Sequence, residues 1–242
     1  MVDLILGTHC IRAALSKFTL RNRLHALLVY KQANSEADSE LVKKARDLNI
    51  PILYSTRQEL DSLAKGSVHQ NHILKADTLK KNIITDLRPE NQNDLVLCLP
   101  QISDPQNFGA IARTAYFMGI KKIITQTPLL TPSSIRASSG ALEILPVFQF
   151  KGPLSEFLSR CKQSEWEIIG ASCDQNATDI STLKPSNNPC MLVMGSEGKG
   201  LNNSLPFSQI VRIPGGDHLI DSLNVSVATG VILYELCKIR RL

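Results

Sequence analysis

The 242-residue sequence lacks the features that mark membrane, secreted and metal-binding proteins. Its six cysteines are scattered and form no C-x-x-C pair, which argues against a zinc site and against a secreted disulfide framework. No apolar run approaches the ~20 residues of a transmembrane helix. The N-terminus lacks the charged start and the cleavage site of a signal peptide. These absences predict a soluble protein of a reducing, intracellular compartment, with no membrane and no metal as partner.

Aromatic residues are also scarce, at 5%, but hydrophobic residues make up 43% of the chain and allow a proper core. The length suits one large domain or two small ones. The formal net charge of +5 favours a polyanionic partner. That indication is weak, because many enzymes without nucleic-acid partners carry a similar charge.

Short apolar runs alternate with amphipathic stretches in the first third of the chain. They predict strands at 24–31, 51–55 and 72–76. The stretch 35–49 predicts a helix, because its acidic residues come early and its basic residues late, as the helix dipole favours. Residues 77–94 are polar, contain a proline and show little periodicity, which predicts a linker.

The same alternation continues after this linker. It predicts an α/β fold with a mainly parallel sheet covered on both faces. In such sheets, ligands bind at the carboxyl ends of the strands. The predicted strands are 95–102, 120–125, 166–172, 190–195 and 210–214, and the predicted helices are 108–119, about 153–164 and the C-terminal stretch.

Three loops after strands of this second half are richer in polar residues and glycine than a connector requires. In "SDPQNFGAIARTA" (103–115), Asn107 occupies a place typical of a helix N-cap, and Arg113 follows six residues later. Helix capping and a surface arginine are one explanation. An anion-binding helix start with an arginine nearby is the other.

The second loop, "MGSEGKGL" (194–201), contains three glycines directly after a strand. Glycine there allows the backbone to approach a ligand closely. Leu201 stands where a Walker A loop requires lysine, so the loop is not a nucleotide-binding P-loop. A tight turn with an exposed Glu197 is the simpler alternative.

The third loop, "IPGGDHLIDSLNVSVATGVILYEL" (213–236), leads into a helix that we expect to be buried. Polar residues crowd the first turns of this helix, where they weaken helix propensity. An N-cap role explains one of them, whereas a hydrogen-bonded pocket for a polar ligand explains the set. The polar residues are Ser222, Asn224, Ser226 and Thr229, and the apolar residues at helical spacing are Leu223, Val227, Val231 and Leu233.

These three stretches resemble the signature motifs of the SpoU/TrmH family of RNA ribose 2′-O-methyltransferases, in order and in spacing. A fourth stretch, "IRASSGALEILPV" (135–147), resembles a further segment of that family. The N-terminal stretches "ILGTHCIRAAL" and "SVHQNHILKA" are similar to the small RNA-binding domain of a subgroup with mitochondrial members. The predicted boundaries are a substrate-binding domain at 1–78, a linker at 79–92 and a methyltransferase domain at 93–242.

The resemblance implies a fold that composition and periodicity do not reveal. The C-terminal domain is expected to contain a deep trefoil knot whose threaded segment forms a pocket for S-adenosyl-L-methionine. The N-terminal domain is expected to resemble a ribosomal-protein fold. A homodimer through the knotted domain is expected, with an active site that borrows residues across the interface.

The resemblance also implies three sets of site residues. The expected catalytic residues are Asn107, Arg113, Glu197, Ser222 and Asn224. The expected cofactor-binding residues are Gly195, Ser196, Gly198, Ile213, Gly215, Leu223, Asn224 and Ser226. The expected RNA-binding residues are His9, Arg12, Arg21, Arg23, His69, Gln70, Arg136 and Lys199.

The sequence departs from the family pattern at two places. Gly215 stands where the family has methionine, and one extra residue precedes Ser222, which affects the shape of the cofactor loop. Asn71 follows His69 and Gln70 where the subgroup has glycine, which affects a turn of the RNA-binding domain.

The predicted activity is methylation of a guanosine ribose 2′-hydroxyl in large-subunit ribosomal RNA, in the cytoplasm or, after loss of a targeting peptide, in mitochondria. Arg113 acts either as general base or as a phosphate grip that stabilises alkoxide charge. A transfer-RNA methyltransferase is the nearest alternative, although the short enzymes of that type lack a domain like 1–78. A non-catalytic RNA-binding protein and a small-molecule methyltransferase are further alternatives.

Overall fold

A computed structural model describes residues 2–32, 36–184, 186–195, 201–202, 204–216 and 222–240 of the chain. The chain divides into two compact units, one formed by residues 1–80 with 130–145 and the other by residues 81–129 with 146–242. Within the described ranges, no helix is long and apolar enough to cross a membrane.

The first unit contains a four-stranded sheet with helices on both faces. Its strands are β1 (Val2–Leu6), β2 (Leu24–Tyr30), β3 (Ile52–Ser55) and β4 (His72–Asp77). They pair in the order β1-β4-β2-β3, and only β2 and β3 are parallel. Its helices are α1 (Thr8–Ala14), α2 (Glu36–Asp47), α3 (Arg57–Ala64) and α5 (Pro132–Ala137), followed by a 3₁₀ turn at Ala141–Glu143. The predicted strands at 24–31, 51–55 and 72–76 are confirmed, and so is the helix predicted at 35–49 over its described part.

Alternation along β2 explains why both faces of this sheet are covered. Leu27 and Val29 pack with α1 and α2, whereas Ala26 and Leu28 pack with α3. Successive residues of a strand point to opposite faces, so a continuous apolar run requires a layer on each side.

Helix α3 was not predicted, although the sequence contains a signal for it. The Thr56 hydroxyl accepts from the Glu59 backbone N–H, and the Glu59 carboxylate accepts from the Thr56 N–H at 2.7 Å. This reciprocal capping box is readable as T-x-x-E.

The second unit contains an eight-stranded sheet. Its strands are β5 (Asn82–Ile84), β6 (Leu95–Leu99), β7 (Ile123–Thr125), β8 (Val147–Phe150), β9 (Glu167–Ala171), β10 (Thr178–Asp179), β11 (Cys190–Met194) and β12 (Gln209–Arg212). They lie in the order β10-β12-β9-β11-β6-β7-β8-β5, and every pair is parallel. The predicted α/β class is therefore confirmed. The helices of this unit are α4 (Pro105–Phe117), α6 (Leu154–Gln163) and α7 (Val225–Arg240), with a 3₁₀ turn at Ile180–Thr182.

The stretch 77–94 is not a plain linker. Its residues 82–84 form β5, which adds to the edge of the second sheet by pairing with β8. The carbonyl of Leu87 accepts from the Trp166 indole N–H at 2.8 Å, and both residues are buried. A three-residue edge strand shows no readable periodicity, which explains why the sequence did not predict it.

Residues 130–145 also differ from expectation, because they pack with the first unit rather than with the methyltransferase half that contains them in sequence. The predicted domain boundaries do not anticipate this insertion. Thr131 caps α5 by accepting from the Ser134 backbone N–H, so the segment has a helix of its own.

Of the four apolar residues at helical spacing noted in the sequence of the α7 region, only Leu233 is buried. Leu223 precedes the helix and is half exposed, and Val227 and Val231 are also exposed. The buried positions are Val225, Thr229, Ile232, Leu233 and Leu236. Because α7 is apolar on more than one side, periodicity alone could not select the buried face.

Phe157 of α6 is fully buried in the core of the second unit and stacks on Phe150, with ring centroids 4.4 Å apart. We expect Phe157→Ala to lower the free energy of unfolding by about 3–5 kcal/mol, because it removes a buried ring and leaves a cavity. Chemical denaturation followed by circular dichroism measures the change. Glu156→Ala, an exposed change on the same helix, is the control. An equal effect of both changes would contradict the packing described.

Candidate active site

The three motif loops leave one edge of the second sheet. They follow β6, β11 and β12, which lie in the neighbouring sequence β12-β9-β11-β6 of parallel strands. Because parallel strands end at the same edge, the loops beginning after Leu99, Met194 and Arg212 are placed side by side. The expected location at the carboxyl ends of the strands is therefore confirmed for the starts of all three loops.

The first loop ends in a helix cap that the sequence interpretation assigned to the wrong residue. Asp104, not Asn107, is the N-cap of α4, and its carboxylate accepts from the Gln106 backbone N–H at 2.8 Å. Pro105 follows at the first helical position, which is typical of that position. The helix therefore begins at residue 105 rather than 108, and Asn107 lies in its first turn. The Asp-Pro pair was the signal for this start.

Asn224 joins the third loop to the first. Its Oδ1 accepts from the backbone N–H of Ser226 at 2.8 Å and from the Ser226 hydroxyl at 2.6 Å, which makes Asn224 the N-cap of α7. Its Nδ2 donates to Oδ1 of Asn107 at 3.1 Å. The side chain thus stabilises the helix start and also fixes the orientation of Asn107. We call this hydrogen-bonded pair the Asn107–Asn224 corner.

The other polar residues at the start of α7 divide into two groups. Ser222 is exposed beside the corner. Thr229 is buried, and its hydroxyl donates to the Val225 carbonyl of the same helix at 2.7 Å, so it is a structural residue. The interpretation that the whole set lines a pocket is therefore wrong for Thr229.

Several expected cofactor-binding residues lie at open positions of this edge. Gly195 directly follows β11, and Ile213 directly follows β12. Gly215 does not adopt a left-handed φ, and a Cβ added to it would meet no atom within 4 Å. Gly215 is exposed, with open space beside its backbone. Leu223 presents a half-exposed apolar side chain.

The middle of the second loop falls outside the described residues, and with it the expected site residues Ser196, Glu197, Gly198 and Lys199. The far end of the loop is anchored, because Leu201 packs into the core of the second unit. A Cβ added to Gly170 of β9 would lie 2.9 Å from the Leu201 side chain. The absence of a side chain at Gly170 thus makes room for the end of the loop.

Arg113 is an exposed residue of α4. It lies six residues beyond Asn107, about 9 Å along the helix and on another side of it. Tyr116 and Phe117 lie three and four residues further on and share its exposed side. Arg113 therefore belongs to an apolar, solvent-exposed helix face, a context that the sequence motif did not reveal.

In the first unit, the structure contradicts two expected RNA contacts. Arg21 is buried, and its guanidinium binds both carboxylate oxygens of Glu143 at 2.7 Å. His69 is buried as well; its Nδ1 accepts from the Asn71 backbone N–H, and its Nε2 bonds to Asp61 at 2.9 Å. Neither side chain can contact RNA without breaking these bonds.

Gln70 lies in an exposed turn and fastens this turn to a neighbouring helix. Its Oε1 accepts from the backbone N–H of Thr8 at 2.9 Å and ties this turn to the start of α1. Asn71 adopts φ 69°, a left-handed conformation that asparagine tolerates better than most residues. The replacement of glycine by asparagine therefore keeps the backbone conformation that glycine would allow.

Four of the expected cations remain candidates for RNA contact. His9, Arg23 and Arg136 are exposed. Arg12 is partly exposed and is held by Glu40 through bonds of 3.0 and 2.6 Å. The hydrogen bonds from Arg12 and then Lys44 lower the pKa of Glu40 to about 2, so this carboxylate is charged at neutral pH and competes for Arg12. Among the described residues, no group of three or more His, Cys, Asp or Glu side chains is placed to hold a metal ion.

Comparison with known proteins matches both halves of the chain. The SpoU rRNA Methylase family matches residues 94–234, and the RNA 2′-O ribose methyltransferase substrate binding family matches residues 4–81. The mitochondrial rRNA methyltransferase 1 of Schizosaccharomyces pombe is 31% identical, over 97% of this chain and 89% of that protein. The 23S rRNA (guanosine-2′-O-)-methyltransferase RlmB of Haemophilus influenzae is 31% identical, over 99% of both chains.

The fold has a counterpart among solved structures. The SpoU methyltransferase AviRb from Streptomyces viridochromogenes, solved in complex with the cofactor AdoMet, superposes with a TM-score of 0.76. The superposition covers 98% of this chain and 89% of that chain at 22% sequence identity. With its loops at the carboxyl edge, its Asn107–Asn224 corner and these matches, the chain belongs to the SpoU rRNA methylase family of RNA 2′-O-ribose methyltransferases.

Proposed function

We propose that this protein transfers a methyl group from S-adenosyl-L-methionine to the 2′-hydroxyl of a guanosine ribose in large-subunit ribosomal RNA. The observation that carries the proposal is the Asn107–Asn224 corner, which unites two family motifs at the carboxyl edge of the parallel sheet. The substrate follows from the first unit, which matches the substrate-binding family, and from relatives named as ribosomal RNA methyltransferases.

The open residues of the carboxyl edge fit the cofactor. Gly195 and Ile213 are partly exposed at the ends of β11 and β12, Gly215 is exposed with open space beside its backbone, and Leu223 offers an apolar surface for the uncharged parts of the molecule. When bound, the cofactor supplies a methyl group already activated by its sulfonium. The protein residues have to align the ribose hydroxyl, allow its proton to leave to a base or to water, and stabilise the negative charge that develops on its oxygen. The Asn107–Asn224 corner would orient the ribose, with Ser222 and Glu197 completing the site.

The test of the proposed function is transfer of tritium from labelled cofactor to an unmethylated large-subunit ribosomal RNA transcript, followed by mapping of ribose methylation. One modified guanosine is expected, and transfer RNA should remain unlabelled. Labelling of transfer RNA alone would support the alternative substrate. Binding of ribosomal RNA without any transfer would support a non-catalytic RNA-binding protein. Relatives from a bacterium and from mitochondria give two candidate compartments, the cytoplasm and the mitochondrion.

Arg113 provides the most direct test of the chemistry. Arg113→Ala should reduce transfer by an amount equivalent to about 3–4 kcal/mol, because one group that stabilises developing charge is lost. Cofactor affinity, measured by titration calorimetry, should stay within about threefold, since the proposed role of Arg113 concerns the ribose and its phosphate. Near-normal turnover would show that Arg113 is only a surface residue.

We also propose a homodimer through the second unit. Helices α4 and α7 pack together, and both leave large apolar side chains in solvent. These side chains, Tyr116, Phe117, Val227, Val231 and Tyr234, form what we call the α4–α7 face. A second copy of the chain would cover this face and would receive Arg113, which projects from the same side of α4 as Phe117. An active site shared between two subunits accounts for the distance between Arg113 and the corner of its own chain.

Phe117 is 84% exposed, so its replacement tests this interface without disturbing the core. Phe117→Glu should convert dimers to monomers in sedimentation experiments and should abolish transfer, because a charge would be buried in an apolar contact. Phe18→Glu, at an exposed phenylalanine of the first unit, is the matched control for oligomeric state.

Shared sites also predict complementation. Arg113→Ala and Asn224→Ala subunits should each be inactive alone. Equal amounts of the two variants are mixed and allowed to exchange subunits, so that about half of the dimers are heterodimers. Each heterodimer has one complete and one doubly defective site, so about a quarter of all sites should be intact. No recovery of activity would contradict the shared site.

Glu40 of the first unit would compete with RNA phosphates for the Arg12 side chain. The pKa of Glu40 is lower in the folded protein than its ordinary value of 4.5. The Arg12–Glu40 pair therefore stabilises the fold fully above pH 4.5, and this stabilisation is lost as the pH falls toward about 2. The pair is therefore intact at neutral pH.

Glu40→Gln should release Arg12, raise RNA affinity and steepen its salt dependence by about 0.7–0.9 for each additional phosphate bound. Glu36→Gln, an exposed change on the same helix, should do neither. Unchanged affinity in Glu40→Gln would remove Arg12 from the RNA-binding set.

A further inference from the structure

Residues 130–145, which we call the inserted segment, leave the second unit and return to it. The strands on either side, β7 and β8, are neighbours in the eight-stranded sheet, yet the segment between them packs as part of the first unit. Adjacent parallel strands need a crossover connection of about a dozen residues or more. In this protein the crossover from β7 to β8 contains a segment that packs with the first unit.

A buried ion pair holds the inserted segment. The side chains of Arg21 and Glu143 are both fully buried. The Arg21 Nε and Nη2 atoms donate to the two Glu143 oxygens at 2.7 Å each, and its Nη1 donates to the Asp77 carbonyl at 2.6 Å and to the Asp3 carboxylate. Burial alone would lower the pKa of Arg21, but the Glu143 and Asp3 carboxylates raise it, so the guanidinium stays charged. Such a pair is costly to break, because the remaining charge would be buried without a partner.

Close backbone contacts accompany the ion pair. The Leu20 N–H donates to the Glu143 carbonyl at 2.8 Å. Gly140 has φ +93°, and a Cβ added there would lie 2.7 Å from the Ala13 Cβ and 2.9 Å from the His9 carbonyl oxygen. Only glycine fits this position, so the segment lies directly against the start of α1.

Two exposed residues lie next to this contact. His9 is in the first turn of α1, where its carbonyl faces Gly140, and Arg136 is in the last turn of α5 next to Ile135, whose carbonyl accepts from the Cys10 thiol at 3.5 Å. Burial and then Glu143 raise the pKa of Cys10 to about 11, while Arg136 opposes this rise. The Cys10–Ile135 bond joins α1 to α5, and the exposed residues His9 and Arg136 are the sequence neighbours of its two ends, although they lie more than a hundred positions apart.

We propose that Arg21 and Glu143 are positioning residues for RNA binding, which hold the inserted segment so that Arg136 and His9 contact the RNA backbone together. The proposal rests on the proposed function only in taking RNA as the ligand. It assigns Arg21, which the sequence interpretation placed among the RNA contacts, a role through Arg136 instead.

A double-mutant cycle tests the coupling. Arg136→Gln should weaken binding of ribosomal RNA about tenfold, the equivalent of one lost charge-assisted hydrogen bond, and reduce the salt slope by about 0.7–0.9. Arg21→Lys keeps the buried charge but loses the bidentate hydrogen bonding to Glu143. It should cause a similar loss of RNA affinity. In the Arg136→Gln background, Arg21→Lys should have no further effect on affinity. Full additivity of the two changes would overturn the proposal.

Thiol alkylation distinguishes a displacement of the inserted segment from a general loss of folded structure. Iodoacetamide should label the exposed Cys173 in every variant and leave the buried Cys10 unlabelled in the parent protein. Arg21→Lys should expose Cys10 to labelling with unchanged circular dichroism, whereas Arg136→Gln should not. Arg23→Gln, at an exposed cation two residues from Arg21, is the matched control and should leave Cys10 protected. Protection of Cys10 in an Arg21→Lys protein with weakened RNA binding would contradict positioning through the segment.

Gly140→Ala is a second variant that disturbs the same contact without changing charge, and it replaces Arg21→Lys if that protein does not fold. Both should raise the KM for RNA and leave kcat at saturating RNA unchanged, which a general loss of structure would not do. If the parent protein methylates no RNA, the proposed function fails, while the cycle on RNA affinity still decides the positioning role. If the parent protein is active and the cycle is additive, only the positioning role fails.

Discussion

The parallel pairing of β6, β11, β9 and β12 is the constraint on which the rest of the site depends. Parallel register places the carboxyl ends of these strands at one edge, so that loops separated by about a hundred residues in sequence begin side by side. All five positions of β6 and β11 are buried. The register is therefore fixed by packing on both faces, and a shift of one strand would move an entire motif loop.

At this edge, one side chain both caps a helix and binds the neighbouring motif loop's helix. Asn224 stabilises the start of α7 with its carbonyl oxygen and holds Asn107 with its amide nitrogen. Polar residues that weaken a helix start are tolerated because they cap it and orient a neighbour at the same time. The exposed α4–α7 face lies on the same two helices as this corner.

The buried and the exposed charged residues of the first unit differ in what they can bind. The buried Arg21–Glu143 pair fixes the inserted segment, since its two-pronged geometry admits one arrangement. The cations Arg23 and Arg136 are exposed to solvent and remain available for a polyanion. A net charge of +5 could not distinguish these situations. Only burial separates a cation that stabilises the protein from one that is free to meet a polyanion.

The sequence by itself determined most strands of both sheets, because buried strands are continuous apolar runs between polar turns; it missed β1, β8 and the short edge strands β5 and β10. It also determined where the motif loops begin, since each follows such a run. It did not decide that Asp104 caps α4 or which face of α7 is buried, although local signals existed for the first. The orientation of Arg21 and the placement of residues 130–145 were decided by tertiary structure alone. They depend on contacts between residues more than a hundred positions apart, and no local pattern contains the position of a distant partner.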